Sequence, residues 1–94
     1  MESGNNIIAF MQSSGYIRLE ENTTATSKNL YQAYCRWCED NTEKPMSAKS
    51  FSGYLKENEK KYHIHYSTNI PSDNGKNARG FQGIHTQIRI DNYR

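Results

Sequence analysis

The chain has 94 residues, of which 34% are hydrophobic and 12% aromatic, and its formal net charge is +2. A chain of this length is expected to fold as one domain, residues 1–94, and to bury about 60 to 65% of its surface, which excludes a second domain. No run of about 18 apolar residues occurs, and no basic segment precedes an apolar one at the start, so we expect a cytoplasmic protein without membrane span or signal peptide.

Charge is distributed unevenly along the chain. Residues 1–43 hold three bases and six acids, a net charge of −3, whereas residues 44–94 hold nine bases and four acids, a net charge of +5. The second half is therefore expected to build a basic surface.

The first predicted helix lies in "NNIIAFMQSS", where Ile7, Phe10 and Met11 share one stripe and Gly15 ends the pattern. The segment that follows, "GYIRLEEN", is compatible with either an extended stretch or a loop. Several residues of "TTATS" could then cap the next helix.

A second helix is predicted from residue 28 to residue 41, because apolar side chains recur there at helical spacing. This seam consists of Leu30, Tyr34, Trp37 and Cys38. The helix is expected to end in "DNTEKP", since Asp40 and Asn41 favour a turn and Pro45 cannot continue a helix.

A third helix is predicted in "PMSAKSFSGYLKEN", after a connection of about five residues. Ser47 is the expected N-cap, with Met46 and Phe51 placed to form a hydrophobic staple across it. Phe51, Tyr54 and Leu55 are expected to form the buried edge of this helix.

Beyond Glu59 the spacing changes from helical to alternating, which predicts two strands. In "YHIHY", Tyr62, Ile64 and Tyr66 would face one side, and in "GIHTQIRI" the expected inward side chains include Ile84, Ile88 and Ile90. The intervening "NIPSDNGKNARG" is predicted to be a long exposed hairpin loop. The order of elements predicts an α+β winged helix-turn-helix domain, with three helices and a C-terminal β-hairpin wing.

The outward side of the third helix is unusually basic. With Phe51 at 0° and about 100° per residue, Lys49, Lys56 and Lys60 lie between about 140° and 180°, and Gly53 lies at about 200°. Taken alone, this pattern favours a solvated face, with Gly53 packed against a neighbouring helix. The basic loop, with nearby Asn74 and Gln82 amides, instead favours DNA binding. The predicted DNA-binding residues are Lys49, Ser50, Ser52, Gly53, Lys56, Lys60, Lys76, Asn77 and Arg79.

The sequence contains only weak indications of a metal site or of catalysis. Cys35 and Cys38 have a spacing that zinc sites use, and His63 with His65 could complete four ligands, but buried thiols and half-exposed strand histidines are the favoured interpretation. The chain has no phosphate-binding loop, dinucleotide fingerprint or suitably spaced carboxylate pair. We therefore predict no metal, no cofactor, no small-molecule substrate and no catalysis by this chain.

The segments "LYQAYCRWCEDNTEKPMSAKSF" and "RGFQGIHTQIRI" resemble the C-terminal domain of phage, plasmid and poxvirus-type primase-helicases, which carry a superfamily 3 helicase motor. The positions that carry the resemblance are Leu30, Tyr31, Tyr34, Trp37, Cys38, Pro45, Ser47, Phe51, Leu55, Arg79, Gly83 and Ile84. The resemblance implies a winged-helix DNA-binding appendage, with primase and ATPase parts upstream. One departure is the hairpin arm, which is longer and more polar than the family pattern.

The expected partner is therefore DNA, with duplex favoured, and the expected role is to position a replication motor on DNA or at an origin of a mobile element. Two alternatives remain open at this point. The domain could be a protein-interaction module within a replication complex, using exposed aromatic residues, or a free-standing winged-helix transcriptional regulator.

Overall fold

The computed structural model describes residues 6–13, 15–72 and 75–87, which form helices and an antiparallel sheet. In chain order these elements are α1 Asn6–Gln12, β1 Ile17–Thr26, α2 Ser27–Asp40, α3 Ala48–Glu57, α4 Glu59–Tyr62, β2 His65–Pro71 and β3 Asn77–Thr86. The fold is α+β, as predicted. The three predicted helices correspond to α1, α2 and α3, and Thr26 is the N-cap of α2.

The core is built around α2, whose apolar seam is fully confirmed. Leu30, Tyr34 and Cys38 are completely buried, and Trp37 is 8% exposed. The Tyr34 ring stacks on Phe51 of α3, with ring centroids 4.8 Å apart. Burial of two such aromatic rings against each other contributes roughly 0.5 to 1.5 kcal/mol beyond the area they remove from water.

The strands form a sheet in the order β1-β3-β2. β1 pairs with β3 in two sections, since Leu19 lies opposite Ile84 and the next paired residue, Thr24, lies opposite Gln82. Residues 20–23 therefore leave the ladder as an excursion, in which Asn22 has a φ of 66°. This interruption hides the strand alternation in the sequence, which explains why "GYIRLEEN" was compatible with either a strand or a loop.

A short helix, α4, takes the place of the start of the first predicted strand, "YHIHY". Asn58 ends α3, and its side-chain amide donates to the Tyr54 carbonyl at 2.7 Å. His63 then adopts a left-handed conformation, with φ 58°, and ends α4. Tyr62 and Ile64 on either side of His63 are both buried. Their spacing of two residues imitates a strand, so the prediction of a strand from Tyr62 is wrong.

The turn at His63 packs closely against β3. A Cβ atom at Gly83 would lie 2.7 Å from the His63 carbonyl oxygen, and Gly83 itself has a φ of 89°. Both the left-handed backbone and the close approach require glycine at this position. Gly83 thus fixes α4 and the start of β2 against the central strand.

The hairpin differs from the predicted long loop, because β2 extends to Pro71 and β3 begins at Asn77. Only residues 72–76 connect the strands. Ile70 is 1% exposed and pairs with Ala78, so the arm is anchored by a buried side chain. The ladder is interrupted once, by a β-bulge in which residues 68 and 69 lie opposite Arg79. Three predicted positions, Asn74, Ile88 and Ile90, lie outside the described residues.

Candidate nucleic-acid interface

The connection between α2 and α3 is held by two tyrosine hydroxyls. The Tyr34 hydroxyl donates to the Asn6 side-chain oxygen at 2.5 Å and accepts from the Met46 backbone N–H at 2.8 Å. The Tyr31 hydroxyl donates to the Met46 carbonyl at 2.7 Å. Residues 41–47 form this connection, which is longer than the predicted one of about five residues. We call Tyr31, Tyr34 and Asn6 the tyrosine clamp, because together they fix the point at which α3 begins.

Burial of the clamp changes the acidity of its central residue. Tyr34 is 0% exposed, and this burial raises the pKa of Tyr34 to about 12, an effect that the hydrogen bond from Met46 only partly opposes. The hydroxyl consequently remains protonated, and able to donate to Asn6, well above neutral pH.

The predicted cap and the predicted inward side of α3 are confirmed. The Ser47 hydroxyl accepts from the Ser50 backbone N–H at 3.2 Å, which satisfies one free donor of the first turn. Phe51 and Leu55 are buried, at 1% and 0% exposure. Because these two anchors face the core, Lys49 and Lys56 lie on the opposite side of the helix, and both are exposed.

Gly53 lies on this outward side with open space around it. A Cβ atom built at Gly53 would meet nothing within 4 Å. The alternative in which Gly53 packs against a neighbouring helix is therefore wrong within the described structure. A glycine in a helix interior costs about 1 kcal/mol relative to alanine, and no contact of Gly53 explains that cost.

Lys60 does not continue the stripe of α3. It belongs to α4, which is separated from α3 by Asn58. The predicted helical-wheel position of Lys60 assumed one continuous helix and is wrong. Lys60 is nevertheless exposed, one turn beyond the end of α3.

One contact joins α3 to the β2–β3 hairpin. The Lys56 ammonium lies 4.4 Å from the centre of the Tyr66 ring, and the Tyr66 ring packs edge-on against Phe81 at 5.4 Å. At about 3.3 Å per strand residue, Arg79 lies about 7 Å along β3 from Phe81, and Lys76 immediately precedes this strand. Lys56 of α3 therefore lies next to the hairpin, whose strand β3 also carries Arg79.

The remaining predicted residues also lie at the surface, in two groups. Ser50 is exposed and Ser52 half-buried on α3. Lys76 is exposed in the connection between the strands, and Asn77 is the exposed first residue of β3. The Ser72 hydroxyl donates to the Lys76 carbonyl, which closes the hairpin end. Gln82 is exposed further along β3, opposite His65.

Cations of the two halves of the chain differ in how many of them form ion pairs. In the first half, Arg18 lies 3.6 Å from Glu20, and Arg36 lies 3.5 Å from Asp40. Within the described ranges, six cations of the second half form no ion pair, namely Lys44, Lys49, Lys56, Lys60, Lys61 and Arg79. Unneutralised charge on one side can bind a polyanion, because no carboxylate has to be displaced.

Glu57, the last residue of α3, is not among the residues predicted from the sequence. Its side chain is exposed, and it makes no ion pair or hydrogen bond with any residue in the described part of the chain. The signal that could have identified it is its spacing, since Glu57 follows Gly53 by four residues and therefore lies on the same side of the helix.

The thiols and histidines do not form a metal site in the described structure. Cys38 is fully buried, and this burial raises the pKa of its thiol. His63 and His65 are exposed. Among residues 6–13, 15–72 and 75–87, no three His, Cys, Asp or Glu side chains are grouped as potential metal ligands.

Aromatic side chains do not supply the exposed surface that a protein-interaction module was expected to use. Each described aromatic residue is buried or half-buried. The large hydrophobic residues that are exposed, Ile8 at 37% and Leu19 at 42%, belong to α1 and β1.

None of the described helices combines the length and the apolar character needed to cross a membrane.

No protein-family model, curated protein or solved structure matches the chain. The resemblance to primase-helicases therefore depends on the quoted residues alone. Most of these residues, including Leu30, Tyr34, Phe51 and Ile84, are core residues. They bear on how the chain folds rather than on what its surface binds.

Proposed function

We propose that this chain is a winged helix-turn-helix domain that binds duplex DNA, with α3 in the major groove and the β2–β3 hairpin as the wing. The observation that carries this proposal is that Lys49 and Lys56 of α3 and Arg79 of the hairpin form no ion pair in the described structure, and that Lys56 contacts Tyr66 of the hairpin. Cations that neutralise phosphates supply most of the affinity in such complexes.

The dimensions of the elements support this arrangement. α3 has ten residues and is about 15 Å long. With its side chains a helix is about 10 to 12 Å across, which fits the major groove of about 12 Å width. Lys49 and Lys56 would contact phosphates, with Ser50 and Ser52 near base edges or sugars. The hairpin, carrying Lys76, Asn77 and Arg79, would contact the adjacent groove or strand, while Lys60 would add a phosphate contact from α4.

A salt titration tests this proposal directly. If five to seven phosphates are neutralised, a plot of log affinity against log salt concentration has a slope of about −4.5 to −6. Binding of labelled duplex should be measured by fluorescence anisotropy at several salt concentrations, with single-stranded DNA of the same length beside it. A slope near zero, or no duplex binding at low salt, would contradict the proposal.

Arginine variants make the same titration residue-specific. Arg79→Ala should weaken duplex binding and make the slope shallower by about 1, because one phosphate contact is lost. Arg18→Ala is the matched control, since Arg18 is already paired with Glu20 at 3.6 Å and should leave the slope unchanged. Equal effects of the two variants would show that the charge of the hairpin has no special role.

The second candidate, protein interaction, predicts a different response. Reversing the charges of Lys49 and Lys56 to glutamate should abolish DNA binding, whereas a hydrophobic interface would barely respond. Lys28→Glu, at an exposed position of α2, is the control for a change in net charge alone.

We extend the proposal, on the resemblance, to a role in replication, in which the domain positions a primase-helicase motor on the DNA of a mobile element. A duplex taken from the replication origin of the element that encodes the chain should then bind more tightly than a shuffled duplex of the same composition. Equal affinities would leave duplex binding intact and contradict origin recognition. Tighter binding to the promoter of the chain's own gene would instead favour a transcriptional regulator.

A further inference from the structure

Glu57 is an unpaired carboxylate on a helix whose outward side carries Lys49 and Lys56. It is the last residue of α3, is exposed, and forms no ion pair in the described structure, although Lys60 and Lys61 follow it by three and four residues. That spacing forms ion pairs along a continuous helix. Here Asn58 separates α3 from α4, so the helical geometry that would pair Glu57 with either lysine is lost.

The outward face of α3 is divided into two lines of side chains. Ser50, Gly53 and Glu57 are spaced by three and four residues and fall within about 60° of one another around the helix axis. We call these three residues the polar row. Lys49 and Lys56 fall within about 20° of each other and about 80° away from the middle of the polar row. We call them the cationic flank.

The hairpin lies beside the cationic flank, because Lys56 contacts the Tyr66 ring at 4.4 Å. On the other side, Tyr54 bonds to Tyr62 of α4, with the two hydroxyl oxygens 2.8 Å apart. The polar row lies between the cationic flank and Tyr54 around the helix, so phosphates held by the flank and the hairpin would leave the row facing the groove.

Both Glu57 and Gly53 are unfavourable choices for an isolated helix. A negative charge at a helix C-terminus opposes the helix dipole, and glycine weakens a helix interior. Neither residue gains a compensating contact within the described structure, since Glu57 is unpaired and a Cβ at Gly53 would meet nothing within 4 Å. A bound ligand that approaches closely at Gly53 and offers a hydrogen-bond donor to Glu57 would compensate for both.

We propose that the polar row contacts base edges in the major groove and that Glu57 accepts a hydrogen bond from the exocyclic amine of a cytosine. This proposal rests on the proposed function, duplex binding through α3. A carboxylate only accepts hydrogen bonds. Cytosine presents an amine donor in the major groove without a neighbouring acceptor of its own, whereas adenine pairs its donor with the N7 acceptor and guanine presents two acceptors. The Ser50 hydroxyl can donate or accept, and Gly53 allows close approach.

The test is selection of preferred duplexes from a randomised library, followed by measurement of affinity for single-base variants of the selected site. The wild-type chain should enrich cytosine at one position, with at least about a fivefold preference over the other bases. Glu57→Gln should shift that preference to adenine, because a glutamine amide bonds both N6 and N7 of adenine. Glu57→Ala should lose the preference at that position and keep the others.

A matched control is Glu39→Gln, an exposed position near the end of α2, which should change neither affinity nor preference. If Glu57→Gln binds all duplexes more tightly with an unchanged preference, Glu57 is only a repulsive surface charge and this proposal is wrong. If the wild-type chain binds duplex with a steep salt slope but selects no base, base recognition is wrong while duplex binding stands. Failure to bind duplex at any salt concentration would overturn the proposed function itself.

Discussion

Gly53 offers a direct way to separate stability from binding, because its two expected effects have opposite signs. Gly53→Ala should raise the free energy of unfolding by up to about 1 kcal/mol, since alanine is the better helix former and the added methyl group meets nothing. The same methyl group should weaken duplex binding by at least about fivefold, equivalent to ~1 kcal/mol, if DNA approaches the helix closely there.

Urea unfolding and fluorescence anisotropy on the same preparation would measure both effects. Gln32→Ala, at an exposed position of α2 outside the proposed interface, is a control that leaves the Gly53 backbone free. A variant that is more stable and binds duplex equally well would show that the open space at Gly53 has no role in binding.

At the scale of single residues, the sequence predicted burial better than it predicted partners. Ser47, Phe51 and Leu55 occupy the predicted cap and core positions, because helical spacing and a serine before an apolar residue are local signals. The contact between Lys56 and Tyr66 could not be predicted. It depends on how the hairpin packs beside α3, which local spacing does not determine.

Among the elements, the tyrosine clamp is the feature on which the placement of α3 depends. Tyr34→Phe should lower the free energy of unfolding by roughly 1 to 3 kcal/mol, because the part-buried Met46 N–H and Asn6 side-chain oxygen both lose their partner. Tyr31→Phe removes a single bond to the Met46 carbonyl and should cost roughly 0.5 to 1.5 kcal/mol. Urea unfolding followed by circular dichroism would measure both.

Tyr16→Phe is the matched control for the clamp. The Tyr16 hydroxyl also makes a short hydrogen bond, to the Asp40 carboxylate at 2.6 Å, but this bond is at the surface. Loss of the Tyr16 hydroxyl should lower the free energy of unfolding by less than loss of either clamp hydroxyl, because water can replace the missing partner. Similar losses for all three variants would mean that burial of the clamp contributes nothing.

Whole elements were predictable where one periodic pattern ran without interruption. α2 carries such a pattern over its full length and was predicted nearly to its ends. β1 was left undecided, because the excursion at residues 20–23 breaks its alternation. α4 was missed, since the left-handed turn at His63 places buried residues two apart, the spacing typical of a strand.

For the molecule as a whole, buried tyrosines predict a loss of stability at alkaline pH. Burial raises the pKa of Tyr34 from its ordinary 10.0 to about 12, and burial together with the hydrogen bond between Tyr62 and Tyr54 also raises the pKa of Tyr62. A raised pKa stabilises the fold fully below the unfolded value and loses that effect as pH rises through the folded value. The free energy of unfolding should therefore fall between pH about 10 and about 12.

Urea unfolding across this pH range would measure the effect, and Tyr62→Phe provides the comparison. This variant lacks one of the titrating groups, so its stability should fall less steeply than that of the wild-type chain. A wild-type stability that stays constant up to pH about 12 would contradict the prediction.

The two interruptions of the sheet have a consequence for how copies of the chain meet one another at high concentration. The outer strands, β1 and β2, expose backbone groups that could accept a strand from another molecule. The excursion at residues 20–23 breaks the first of these edges. The bulge at residues 68 and 69, followed by Pro71, breaks the second. An incoming strand could follow either edge for only a few residues, so the irregularities that obscured β1 and shaped the hairpin also protect the sheet against aggregation.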